Sequence, residues 1–351
     1  MIGTVISYCT NDFRFIGKCI EEAKKFSNQI VIAVCDHFFD GTPENRHLLG
    51  YTYAQHPDCQ FIEFAYLPDR LYRQYHPLSP DDPDWAIFWA ATARYVGLQY
   101  LDPATEYLLF LDSDEIVEGD EFLKWFNSSE VLDAQRLASY LYALRPTFKA
   151  KKIVSAPLFI KKETLIPFAL FNVLERLGVY LNHPGPKKEA SLGVDGKPFV
   201  HHYSWVRTKE ECLWKTRTWG HRNDADWPLL IEEAFSGNMK GLFKSDHEYE
   251  EIQECFFDPF KIAIPNMIQN LGIWQSQRSR FAAGEAIAEA GHVNHMVGGR
   301  GCKDGDAGAA KNQILNHVRY MPLESICFPK ENVIKINEQD LFKKEIENAL
   351  F

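Results

Sequence analysis

The stretch Tyr107-Leu108-Leu109-Phe110-Leu111-Asp112-Ser113-Asp114-Glu115 passes from an unbroken apolar run straight into a cluster of carboxylates. A short continuous run of this kind reads as a strand buried on both faces of a parallel sheet. Charges at its end are costly to bury unpaired, so they should face a crevice. Residues two apart on an extended chain share a side, which lets Asp112 and Asp114 address one site and turns Glu115 elsewhere. A divalent cation that also holds phosphate oxygens needs one or two such carboxylates and open coordination positions. Alone, Asp-x-Asp is more often a solvated acidic turn, so its surroundings decide the reading.

Upstream, Gly3 to Cys9 reads as a strand, and Asn11 to Phe26 as a helix with Ile16, Cys19, Ile20 and Ala23 on one face behind an Asn11 or Asp12 cap. Gln29 to Cys35 is a second buried strand with Asp36 at its end, Gln60 to Ala65 a third, and Asp84 to Tyr100 a long helix. This alternation predicts an α/β fold: a mixed, mostly parallel, Rossmann-like sheet flanked by helices, with ligands beyond the carboxyl ends of the strands. Asp36 and Asp112 then lie together. After Ser155 the alternation loosens, leaving a strand at Pro198 to Tyr203 and a helix from about Thr208. There Thr208 and Glu211 have capping-box spacing, and Glu211 and Lys215 form an i,i+4 pair. A shift to polar, Gly-containing sequence near Gly237 divides residues 1–236 (halves 1–120 and 121–236) from a helical or irregular extension at 237–351.

The formal charge of −10 argues against a nucleic-acid binder, which needs a basic face. Eight scattered cysteines without a CxxC pair fit reduced thiols, and the strand-like start lacks the features of a secretory signal; both point to the cytoplasm. The most apolar segment, Leu165 to Leu174, is too short to span a bilayer. It reads as core, with a membrane-surface contact beside Lys161 and Lys162 as the lesser reading.

Three motifs in order resemble the family 2 glycosyltransferases of GT-A fold. Val34-Cys35-Asp36-His37-Phe38-Phe39-Asp40-Gly41-Thr42 is similar to the family's second-strand motif, with Cys35 replacing the first acid of its Asp pair. Ala93-Arg94-Tyr95-Val96-Gly97 is similar to its Ala-Arg-Asn-x-Gly helix, with Tyr95 for Asn, and the run from Tyr107 to Glu115 matches its strand and Asp-x-Asp. The resemblance implies transfer of a sugar from a nucleotide-diphosphate donor, a UDP-sugar first among them, with Mn²⁺ or Mg²⁺ as cofactor and inversion at the anomeric carbon; retention stays the alternative, because the sheet and Asp-x-Asp occur in both stereochemical classes. Asp36 would contact the donor base, Arg94 the donor, Asp114 the metal as principal ligand, and Asp112 the metal or the donor ribose. The acceptor, whether saccharide, protein or lipid, is left open.

The run His201-His202-Tyr203-Ser204-Trp205-Val206-Arg207 is placed like the strand that delivers a late histidine to the metal in related enzymes; His202 is preferred over His201. In the basic stretch that follows, Lys215 and Arg222 are candidates to stabilise the diphosphate leaving group, and Trp219 either packs or supports an acceptor ring. For the catalytic base, Asp226 and Glu175 stand ahead of Asp224, Glu232 and Glu233. Gly298 to Gly305 lacks the ending of a phosphate loop, and His292, His295 and Cys302 lack a fourth zinc donor, so the extension reads as loop, with a lid or acceptor-binding role open. The competing functions are a sugar-phosphate nucleotidyltransferase, whose Gly-rich basic loop is missing from Gly3 to Asn11, and a carbohydrate-binding protein without turnover.

Overall fold

The apolar runs of the first half become β1 (Ile2–Tyr8), β2 (Gln29–Cys35), β3 (Gln60–Phe64) and β4 (Tyr107–Asp112), with helices α1 (Phe13–Ala23), α2 (Arg46–Gln55) and α3 (Asp84–Gln99) between them. The computed structural model describes residues 1–66, 84–172, 174–237, 247–264 and 333–336. The chain divides into two compact units, residues 1–262 with 321–351 and residues 263–320; the elements named here belong to the first.

After β4 come β5 (Glu115–Val117), α4 (Gly119–Ser128), β6 (Ala134–Ala143), β7 (Arg145–Ala150), β8 (Val154–Lys161), α5 (Glu175–Asn182), β9 (Lys187–Ser191) and β10 (Val200–Trp205). The remaining described elements are α6 (Lys209–Thr218), α7 (Trp227–Phe235), β11 (Tyr249–Glu251) and β12 (Val333–Ile336). One sheet runs β11-β7-β6-β8-β4-β1-β2-β3-β12, with β10 beside β5 and β6 and β9 beside β6. Strands β4, β1, β2, β3 and β12 are mutually parallel, and β8 is antiparallel to β4 and β6. The mixed, helix-flanked α/β sheet is the expected one.

Alternation across β1 and β4 explains why their sequences are apolar throughout. Ile6, Leu109 and Leu111 pack towards Phe15, Ile16 and Ile20 of α1, while Val5, Leu108 and Phe110 pack towards Trp89, Ala93 and Val96 of α3. Both faces are therefore core. From β1 the chain steps outward through β2 and β3, then returns to place β4 on the other side of β1. This reversal opens a crevice beyond the carboxyl ends of β1 and β4, where Ser7 pairs with Asp112.

Leu165 and Leu170 are buried, and Phe168, Ala169 and Phe171 pack against the same core cluster, so the apolar segment mostly serves the interior. Among the described residues no helix is long and apolar enough to cross a membrane. Within the extension, Val333–Ile336 adds a parallel strand outside β3, pairing Val333 with Phe61. So short a run gives no periodic signal, and its partner lies at the far end of the sequence. The Gly-rich segment and the His292, His295 and Cys302 group lie outside the described residues.

The Ala93-to-Gly97 motif has a packing reason as well: a Cβ on Gly97 would lie 2.4 Å from Val5 Cγ1, so α3 crosses β1 where no side chain fits. Gly97→Ala is expected to destabilise the fold by about 1–3 kcal/mol in denaturant unfolding, the usual cost of overpacking. Gly50→Ala, which meets nothing within 4 Å, is the control.

Candidate active site

Strand β4 ends at Asp112, and Ser113 and Asp114 make a turn before β5. That turn is pinned from both sides: Ser113 N donates to Ser7 O at 3.1 Å, Ser113 Oγ to Asp12 Oδ2 at 2.8 Å, and Tyr203 N to Asp114 O at 2.9 Å. Above it is a cleft of about 310 Å³, whose lining includes Ser7, Cys9, Asn11, Asp12, Cys35, His37, Phe38, Phe39, Arg94, Asp112, Asp114, Glu175, Arg176, His202, Lys215 and Trp219.

Buried cations hold the two motif aspartates. Asp112 accepts from Arg94 Nη2 at 2.9 Å and from Arg176 Nη2 at 3.0 Å. Arg176 also grips the fully buried Glu115, at 2.5 and 2.8 Å, and Arg94 reaches on to Glu175 at 2.5 Å. Asp114 Oδ2 accepts from Lys215 Nζ at 2.8 Å and from Arg207 Nη2 at 3.2 Å, while Asp114 Oδ1 faces His202 Nε2 at 3.6 Å. Burial alone would raise both carboxyl pKa values. Arg176 and Arg94 outweigh it at Asp112, and Lys215, His202 and Arg207 at Asp114, so both lie below the usual aspartate range.

Glu175 begins α5 with a φ of 50°, a left-handed conformation unfavourable for a side chain of its size. The chain keeps that strained residue at the cleft, with its carboxylate tied to Arg94. In the same corner, Trp219 packs edge-on against Trp205 and Trp227, at 5.2 Å each, and still lines the cleft.

Of the residues singled out by sequence, Arg94, Asp112, Asp114, Glu175, His202 and Lys215 therefore meet in one cleft. Asp36 sits beside it: its Oδ1 accepts from Tyr66 N at 2.7 Å and lies 2.7 Å from His37 Nδ1, while its neighbours Cys35 and His37 line the cavity. His201, on the opposite face of β10, meets Tyr142 and Glu118 at 2.8 and 2.7 Å and stacks on Phe256, away from Asp114. Asp226 is the N-cap of α7, accepting from Leu229 N, and neither it nor Arg222 is in the cleft lining. The expected Glu211–Lys215 pair does not form. Glu211 closes the capping box with Thr208 and pairs with Arg14 at 2.8 Å, leaving Lys215 to turn into the cleft.

The sequence reading missed Arg176, Arg207 and the role of Asp12. Asp12 makes no cap; it pairs with Arg207 and accepts from Ser113. Arg176 directly follows Glu175 and Arg207 closes the run from His201, but an isolated arginine does not show in sequence whether it points outward or into a buried acidic cluster.

The donor chemistry fits a divalent cation held together with phosphate. Asp114 Oδ1 and His202 Nε2 offer a hard oxygen and an imidazole nitrogen, a pair suited to Mn²⁺. Among the described residues no group of three or more His, Cys, Asp or Glu stands together as a metal site.

A scan of protein-family models and a search of curated proteins each return no match. Similar solved structures include a 4-diphosphocytidyl-2C-methyl-D-erythritol synthase from Anaerococcus prevotii (TM-score 0.35, 10% identity, covering 61% of this chain and 95% of that one). Another is glucosyl-3-phosphoglycerate synthase from Mycobacterium tuberculosis, solved with Mn²⁺, uridine diphosphate and phosphoglyceric acid (TM-score 0.32, 14% identity, 74% and 90% covered). A third is the glycosyltransferase GlyE of Streptococcus pneumoniae (TM-score 0.32, 13% identity, 67% and 63% covered). Likenesses with TM-scores of 0.32–0.35 and 10–14% identity carry nothing about what the present chain binds.

The network makes two stability predictions. Arg176→Met strands Glu115 in the core and is expected to cost about 3–5 kcal/mol by denaturant unfolding. Asp114→Asn tests the pH dependence. Because folding lowers the Asp114 pKa, its stabilisation is complete above the usual value of 3.8 and is lost as pH falls below it. The stability gap between wild type and Asp114→Asn should shrink by up to about 1.4 kcal/mol per pH unit below that value; a gap unchanged down to pH 2.5 would contradict the ion-pair assignment.

Proposed function

We propose that the chain is a metal-dependent glycosyltransferase of GT-A type that moves a sugar from a nucleoside-diphosphate donor to an acceptor hydroxyl with inversion. The observation that carries this reading is the meeting of Arg94, Asp112, Asp114, Glu175, His202 and Lys215 in one cleft at the strand-order reversal. The three sequence motifs supply the chemistry expected of that place. The nucleoside would enter beside Asp36 and His37, and the diphosphate would lie over Asp114 next to Lys215.

Asp114 and His202 would hold Mn²⁺ or Mg²⁺, whose charge would neutralise the departing diphosphate. Asp112, fixed by two arginines, would meet the ribose or a metal-bound water. Glu175, aligned by Arg94, would take the proton from the acceptor hydroxyl as its oxygen bonds to the anomeric carbon and the bond from that carbon to the diphosphate oxygen breaks. Lys215 would stabilise the charge that develops on that oxygen.

A thermal-shift screen of UDP-, GDP- and TDP-sugars with Mn²⁺ should find a stabilising donor, consumed slowly by hydrolysis. Asp114→Ala should abolish the metal dependence, and Asp112→Ala should chiefly weaken donor binding. Glu175→Gln should slow transfer by about 10²–10⁴-fold with the donor-induced shift intact. Release of pyrophosphate from a nucleoside triphosphate and a sugar phosphate would instead mark a nucleotidyltransferase. Metal-independent binding without donor consumption would mark a non-catalytic binder.

A further inference from the structure

The two cations on Asp114 Oδ2 are not equivalent. Arg207 is 2% exposed and spends its other donors on Asp12 and on the carbonyls of Asn11 and Ser204, with its guanidinium 4.8 Å from the centroid of the Phe15 ring. It cannot leave without opening the core. Lys215, also buried at 9% exposure, stands in the last turn of α6 on the cleft wall; its ammonium hydrogen-bonds Asp114 alone and lies 5.9 Å from the centroid of the Trp219 ring. A lysine ammonium is a point charge on a flexible stem, able to exchange one oxygen partner for another without rebuilding its surroundings.

We propose that Lys215 is a placeholder cation: its ammonium occupies Asp114 in the ligand-free protein and moves onto phosphate oxygens when a diphosphate enters, releasing Asp114 to a divalent metal ion. The inference rests on the reading of this cleft as a metal–diphosphate site. It assigns Lys215 a second task besides stabilising the leaving group. Lys215 weakens metal uptake before the donor arrives, because its ammonium, 2.8 Å from Asp114 Oδ2, offsets the carboxylate's charge and repels a second cation beside Oδ1. Metal and diphosphate then favour each other, and by linkage each raises the other's affinity by the same factor.

The test uses the full chain, with Mn²⁺ and inorganic pyrophosphate as probes. Free Mn²⁺ is followed by electron paramagnetic resonance, and the Mn²⁺–pyrophosphate complex is subtracted from a protein-free titration. Lys215→Gln should bind Mn²⁺ alone about 5–150-fold more tightly than wild type, the usual span of such a coupling, and should bind pyrophosphate more weakly. Lys215→Arg, whose planar fork fits the carboxylate, should keep Mn²⁺ binding weak and reduce its gain from pyrophosphate; this arm remains if Lys215→Gln fails to fold. If wild type gains Mn²⁺ affinity with pyrophosphate but neither variant changes Mn²⁺ binding in these directions, the placeholder role is wrong and the metal–diphosphate site stands. If wild type binds Mn²⁺ and pyrophosphate in no combination, the site reading fails and the placeholder falls with it.

Discussion

The cleft depends on holding the carboxyl groups of Asp12, Asp112, Asp114, Glu115 and Glu175 in one small volume. Burying so many acids together is costly unless each meets a cation. Arg94, Arg176, Arg207 and Lys215 are those cations, each shared between acids or placed against one. Such a network is costly to desolvate and gives little net stability, but it is exacting about position, because removing Arg176 or Arg207 takes the cation from a buried acid, Glu115 or Asp12. The architecture serves this network: β4 delivers Asp112, α3 delivers Arg94, α5 delivers Glu175 and Arg176, and β10 with α6 delivers His202 and Lys215.

The division of labour among the cations follows from how many oxygens each one holds. Arg94, Arg176 and Arg207 are enclosed and multiply bonded, so they act as struts that fix carboxylates. Lys215 makes a single side-chain hydrogen bond, to Asp114, from a place on the cleft wall, which is why the proposed exchange of partners is assigned to it. An arginine at position 215 would keep the charge and remove that mobility.

The sheet and one side of the cleft were legible in the sequence because both rest on local patterns. Continuous apolar runs located β1, β2 and β4, helical spacing located α1, and an acid at the end of β4 announced the crevice. What escaped depends on contacts between distant segments. Asp12 resembles a helix cap until Arg207, from the other half of the chain, is seen against it. Lys215 and Glu211 have i,i+4 spacing, yet a buried aspartate and Arg14 outcompete that weak surface pair. Adjacent strand residues such as His201 and His202 face opposite ways, but only the backbone course of β10 shows that His202 meets Asp114 and His201 does not.

The central claim is that a divalent metal ion and a nucleoside diphosphate meet over Asp114. The most direct measurement is anomalous diffraction at the manganese edge from crystals grown with Mn²⁺ and uridine diphosphate. One strong peak is expected between Asp114 and His202, in contact with the diphosphate oxygens, with the nucleoside beside His37. A peak elsewhere, or nucleotide bound with Asp114 still closed by Lys215 and no metal ion beside it, would contradict it.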